Sequence, residues 1–394
     1  MNILFYRYGS ICEPDIIDSF RHLGFQVDED TREIYNKELK PSECITGLNE
    51  LLRKNNYNYT FVFSINFFPS VSDVCNIVGI PYMCLIVDSP VLELFSTSLA
   101  NKCNKVFIFD RRLYEEFLPV NPDGIYHIPL ATNVRGNHKT CTQAGETLKN
   151  RFSSDISFIG SLYTEKCAYN KTVLPPKFKG YVDGLIEAQL RVYGYNFIEE
   201  CVDDELIDAF IKARPELDNF PESMNVNVRA VIAQHFISVK VAEQERIRFL
   251  KALSDRFSVD IYTGSNTGFM PRIHNRGFAK TATEMPIIFH ESKINLNLTA
   301  KSIRSGLSLR VFDVLGCEGF LITNYQEELP QHFTIGEDLE AYESLDDLMG
   351  KCEYYLTHEN DRREIAHNGF EKVKKYHTYD TRLTQMLEIA FHLN

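Results

Sequence analysis

Through the first 135 residues, short and almost wholly apolar runs alternate with amphipathic stretches. NILFYR, TFVFSI, YMCLIV and KVFIFD read as strands, and IIDSFRHLG and CITGLNELLRK read as helices between them. Strands buried on both faces by crossover helices need continuous rather than alternating apolar residues, so the pattern predicts a parallel, doubly wound α/β domain over residues 1–140. A polar stretch, TNVRGNHKTCTQAGETLKNRFSS, then breaks the rhythm, and we place an interdomain linker there, around residues 134–152.

A second alternating set follows and predicts a second α/β domain over residues 153–375. DISFIGSLY, SVDIYTG, KINLNLT and FLITN read as its strands, and MPIIFHES and LRVFDVLG as helices. Residues 180–250 are rich in helix formers and read as a helical insertion, with the acidic EECVDDELIDAFIKARPELDNFPES on its surface. The last fifty residues read as helix with breaks near His358, Asn368 and His377.

A chain of 394 residues suits two domains, because single cores stop growing near ~250–300 residues. Its net charge of −12 opposes nucleic-acid binding, which needs clustered Lys and Arg. No apolar run reaches the ~20 residues of a membrane span, so a cytosolic protein without a transmembrane segment is expected. The ten cysteines show no CxxC pair, and the eleven histidines form no HxH or HExxH set, so no metal is expected. His127 is a further candidate catalytic group.

Candidate chemistry lies where strands end. Gly160 and Ser161 follow one strand and Thr263 and Gly264 another, which suits either a tight turn or exposed N–H groups meeting a phosphate. The segment KINLNLTAKSIRSGLSLRVFDVLGCEGFLITN places Lys301, Arg304, Ser305, Gly306, Ser308 and Arg310 in a loop before a helix. Basic and hydroxyl groups there suit a diphosphate. Asp313, in that helix, suits either two ribose hydroxyls or a helix N-terminal charge. In the first half, Asp88 ends YMCLIVDSP, where a carboxylate serves either as a general base or as a turn former.

Residues 153–382 resemble the glycosyltransferase group that includes the spore-maturation protein CgeB, through FIGSLYTEKCAYN, KGYVDGLIEAQ, EMPIIFHESKINLNLT, SLRVFDVLGCEGFLITNYQEEL and YYLTHENDRREIAHNGFEKVKKYHTYDTRL. The first half, with LIVDSP, VFIFDRR and YHIPLAT, is similar to the domain that commonly precedes it. The resemblance implies a GT-B fold: two Rossmann-like domains facing across a cleft, with residues 376–394 returning as a helix to the first. It also implies a nucleotide-sugar donor bound by the second domain; a UDP-linked sugar is expected, without metal or other cofactor, because no DxD-type carboxylate pair lies near the proposed phosphates. The donor set is Gly160, Ser161, Tyr163, Thr263, Gly264, Met285, Asn297, Arg304, Ser308, Leu309, Arg310 and Asp313, with the base near residues 278–286 and Asp88 as catalytic base. The acceptor is expected to be a hydroxyl on a protein, a glycan or a cell- or spore-surface component.

The sequence departs from the family at two points. Ser305 stands where the first of two paired glutamates is common in retaining GT-B enzymes, which leaves the anomeric outcome open. Glu318 replaces the first glycine of a Gly-Gly-Phe segment, either to contact the sugar or to lie at the surface. A nucleotide-sugar epimerase and a non-catalytic surface-assembly or binding module are the competing functions on this fold.

Overall fold

The computed structural model describes residues 1–392 of the 394. These form two compact units. Unit one comprises Met1–Ala131, Phe220–Val226 and the residues from His377 onward, and unit two comprises Thr132–Asn219 and Asn227–Tyr376.

Unit one is built on a six-stranded parallel sheet of β1 (Asn2–Tyr6), β2 (Gln26–Asp30), β3 (Phe61–Ile65), β4 (Tyr82–Ile86), β5 (Asn104–Ile108) and β6 (Ile125–His127), in the order β2-β1-β3-β4-β5-β6. Side chains alternate between its faces. Leu4, Val62, Cys84 and Val106 meet Leu48, Val74 and Leu113 from helices Pro41–Lys54, Pro69–Val78 and Arg111–Phe117. On the other face Phe20 of helix Glu13–His22 packs 5.0 Å from Phe63, and Phe391 of the C-terminal helix Tyr379–Phe391 lies 5.7 Å from Phe61. Phe391 is only half-buried; the side chains that seat the last helix are its fully buried Leu383 and Met386, each contributing about 1.5–3 kcal/mol. β2 escapes the apolar-run rule because QVDED is an edge strand with mostly solvated side chains.

Unit two carries a second six-stranded parallel sheet of β7 (Ser154–Ile159), β8 (Val259–Tyr262), β9 (His274–Asn275), β10 (Ser292–Asn297), β11 (Leu321–Asn324) and β12 (Glu340–Tyr342), in the order β12-β11-β10-β7-β8-β9. Ile156, Ile261, Ile294 and Ile322 pack against Phe249 and Leu253 of helix Val239–Arg256 and against Leu348 and Ile365.

Three local readings are corrected. The polar stretch taken for a linker forms helices Val134–Gln143 and Glu146–Phe152. Asn133 caps the first by accepting from the Gly136 N–H at 2.9 Å, and the thiol of buried Cys141 donates to the Pro286 carbonyl at 3.3 Å. A few buried residues suffice to dock a helix that is otherwise polar. Within the helical insertion, residues 220–226 are not helical and belong to unit one: the Met224 N–H closes a turn on the Pro221 carbonyl at 2.9 Å, and around it the Asn225 N–H donates to the Phe95 carbonyl and the Thr97 N–H to the Ser223 carbonyl, both at 2.8 Å. Backbone without a helical ladder must find other partners. Finally, Asn368 breaks nothing, because helix Glu359–Tyr376 runs through it. Gly369 marks a close approach instead, since a Cβ there would strike the Asp338 carbonyl oxygen.

Candidate active site

In unit two the chain passes from β7 to β8 and β9 on one side, then returns to build β10, β11 and β12 on the other. The winding therefore reverses between β7 and β10, and open α/β sheets bind ligands beyond the carboxyl ends of their strands at such a reversal. The loops there are residues 160–163 and 298–308.

One side chain that sequence patterning passed over joins these loops. Arg246 donates from Nη1 to the Ser161 carbonyl at 2.5 Å, and from Nε and Nη2 to the Leu298 carbonyl at 3.2 and 2.6 Å. Its guanidinium lies 4.5 Å from the centre of the Tyr163 ring. It is 9% exposed and pairs with no carboxylate among the described residues. In sequence it is one basic residue in the polar helix VAEQERIRFL, and nothing local marks it as buried.

Arg310 lies close by. It packs 4.9 Å from the centre of the Phe289 ring, and its Nη1 is 3.7 Å from Asp313 Oδ2. That same Nη1 is buried and makes no hydrogen bond. Burial pulls the guanidinium pKa below its usual value, with Asp313 opposing and the like charge of Arg246 adding to the fall. Two neighbouring guanidinium groups, Arg246 buried and Arg310 part-buried with an unmet buried Nη1, form an environment that an anion would relieve.

The other expected donor residues separate into two groups. At the carboxyl edge, Ser308 Oγ donates to Asn297 Oδ1 at 3.4 Å, and Asn297 Nδ2 donates to the hydroxyls of Thr299 and Thr323, both at 2.9 Å. Gly160 follows β7, and the Tyr163 N–H donates to Ser161 Oγ at 2.9 Å with Tyr163 at φ 66°. The Leu162 N–H donates to Ser265 Oγ at 3.0 Å, and Thr263 Oγ1 accepts from the Ser265 N–H at 3.1 Å, which ties the loops after β7 and β8. Gly264 carries the exposed Phe278 ring where a Cβ would stand. Met285 and Leu309 begin helices Met285–Glu291 and Leu309–Leu315, the first buried and the second half-buried. Asp313 lies past the first turn of its helix, and its Oδ1 accepts from Thr132 Oγ1 at 2.9 Å.

The second group turns inward. Lys301 is buried 3.4 Å from Glu245 and 4.1 Å from the centre of the Tyr193 ring, Arg304 pairs with Glu199 at 3.7 Å, and fully buried Ser305 donates to Glu328 at 2.7 Å. Their partners come from the helical insertion and from the loop after β11, which no local pattern announces. Ser308 and Arg310 instead have their partners, Asn297 and Asp313, at the carboxyl edge.

Glu318 faces His367 at 2.8 Å, and its φ is 57°. A glycine would adopt this left-handed backbone without strain. We expect Glu318→Gly to raise the unfolding midpoint in urea by the equivalent of roughly 0.5–1 kcal/mol. The relieved backbone gives about 1–2 kcal/mol, glycine's greater unfolded freedom takes back about 0.5–1, and the exposed ion pair contributes little.

In unit one the winding reverses between β1 and β3. Asp88, exposed beyond β4, accepts at Oδ2 from Asn66 Nδ2 at 2.7 Å, and Asn66 follows β3. His127 ends β6, its ring 5.8 Å from that of Tyr114.

Residues 244–388 match the model of a family described as glycosyl transferase-like. Solved structures align over nearly the whole chain. A glycosyltransferase from Rickettsia africae shares 13% identity over 99% of this chain and 98% of its own, with a TM-score of 0.56. Sucrose-phosphate synthase from Thermosynechococcus elongatus shares 9% over 100% and 98%, at 0.57. Anabaena HepE, in complex with UDP, shares 10% over 100% of both chains, at 0.52. The fold is GT-B. No curated protein matches the sequence significantly. Within the GT-B fold the family match spans Arg246, Arg310 and Asp313 together with strands β8 to β12. No helix among the described residues is long and apolar enough to cross a membrane.

Proposed function

We propose that the protein is a glycosyltransferase of the CgeB-like kind, working in the cytosol, that takes a nucleotide sugar, UDP-linked by preference, as donor. The observation that carries this is the Arg246–Arg310 pair, with the unmet buried Arg310 Nη1, at the β7/β10 reversal. An anionic diphosphate supplies the charge this pair lacks, with Ser161 and Ser308 beside it and the ribose on Asp313. The family match over residues 244–388 and the UDP complex of Anabaena HepE support the same reading.

In the reaction an acceptor hydroxyl oxygen bonds to the anomeric carbon while the bond from that carbon to the diphosphate oxygen breaks. The leaving nucleoside diphosphate takes the electron pair, stabilised by Arg310, and Asp88 takes the hydroxyl proton. The scheme assigns no metal or other cofactor. The acceptor belongs to the class of protein, glycan or surface-component hydroxyls.

The test is release of nucleoside diphosphate from a panel of nucleotide sugars, with and without candidate acceptors. Release that depends on an acceptor supports transfer. Conversion of the donor alone would indicate an epimerase, and no release with any pair would indicate a binding module.

Asp313→Ala is expected to weaken UDP binding by about 10- to 100-fold in calorimetry, the usual loss when a hydrogen bond to a charged group is removed. Phe278→Ala addresses the base. The ring is 85% exposed beside Gly264, and a nucleobase stacked on it would gain about 1–3 kcal/mol. UDP affinity should fall accordingly while that of inorganic pyrophosphate stays unchanged.

A further inference from the structure

We propose that Asn66 is a positioning residue for Asp88, holding its carboxylate in the orientation that takes the acceptor proton; this rests on the assignment of Asp88 as the base. Every polar atom of the Asn66 amide is engaged. Oδ1 accepts from the Val87 N–H at 3.0 Å and from the Asp88 N–H at 3.4 Å. Nδ2 donates to Asp88 Oδ2 at 2.7 Å and to Tyr8 Oη at 2.9 Å. One side chain thus bridges the carboxyl ends of β1, β3 and β4, including the β1/β3 reversal where an α/β sheet presents its ligand groups.

Asn66 has φ 58°, a left-handed backbone that asparagine tolerates better than most residues but that still disfavours any side chain. The four bonds of its side chain, at about 1 kcal/mol each after exchange with water, offset that cost. One amide that accepts from the Asp88 N–H and donates to Asp88 Oδ2 ties the carboxylate to its own backbone, which is the pattern of an orienting contact. Asp88 Oδ1, by contrast, has no protein partner among the described residues, so one oxygen is fixed and the other is presented.

Asn66→Gly tests this cleanly. Glycine suits the left-handed backbone, so the fold is retained while the amide is lost. The expected result is a kcat lower by about 10- to 100-fold, part of the roughly 10²–10⁴ that a general base supplies. The acceptor KM should stay within about threefold and UDP affinity should not change, since neither depends on the orientation of the base. Asn56→Gly, also at positive φ (51°), serves as the backbone control and should leave kcat untouched. The double variant Asn66→Gly with Asp88→Asn should be no slower than Asp88→Asn alone, because both act on one group. An inactive Asp88→Asn beside an Asn66→Gly of wild-type kcat, or full additivity in the double variant, overturns the positioning role and leaves the base assignment standing. A fully active Asp88→Asn overturns the base assignment itself, and the inference with it.

Discussion

Asp88→Asn is expected to lower kcat for sugar transfer by about 10²–10⁴, the range a positioned general base contributes. The substitution keeps the size of the side chain and an oxygen able to accept from Asn66 Nδ2, but removes the basic site. Asp88 is exposed, and no ion pair holds it among the described residues, so the change leaves the fold intact. UDP affinity measured by calorimetry should stay at the wild-type value, because the donor groups are assigned to unit two. Full turnover by the variant would remove Asp88 from the mechanism.

Arg310→Met is expected to produce effects of opposite sign on binding and on stability. Loss of a charge-assisted bond to the diphosphate weakens UDP binding by about 10- to 100-fold. The ligand-free protein should be as stable as wild type or more so. Its guanidinium is part-buried with a buried Nη1 unbonded, near the like charge of Arg246, and its nearest carboxylate stands off at 3.7 Å. Replacing a poorly compensated buried ion by an apolar chain of similar volume is neutral or stabilising, by up to about 4 kcal/mol. Thermal melting without ligand and calorimetry with UDP check the two halves. A variant that loses stability while keeping UDP affinity would make Arg310 a structural residue.

Much of the architecture was legible because it is locally encoded. NILFYR, TFVFSI, DISFIG and KINLNL sit in central strands whose burial on both faces demands unbroken apolar runs. QVDED at the sheet edge and the two-residue strand His274–Asn275 carry no such run, and they were invisible. The helices at 134–152 were hidden in a similar way, since Val134, Cys141 and Phe152 are their buried residues and the rest is polar.

For the site, the sequence by itself determined which strand ends carry glycine, hydroxyl and charged residues, because parallel α/β topology directs those ends to one edge. Only the tertiary structure decided what each charge does. Lys301, Arg304 and Arg310 look alike in KSIRSGLSLR, yet the first two face Glu245 and Glu199 of the helical insertion, at 3.4 and 3.7 Å, while Arg310 faces Asp313 of its own helix at 3.7 Å and keeps a buried Nη1 without a hydrogen bond. Arg246, from that same helical region, has no such partner and becomes the cation beneath the β7 and β10 loops. Which groups surround a cation depends on contacts between residues far apart in the chain, which periodicity does not record.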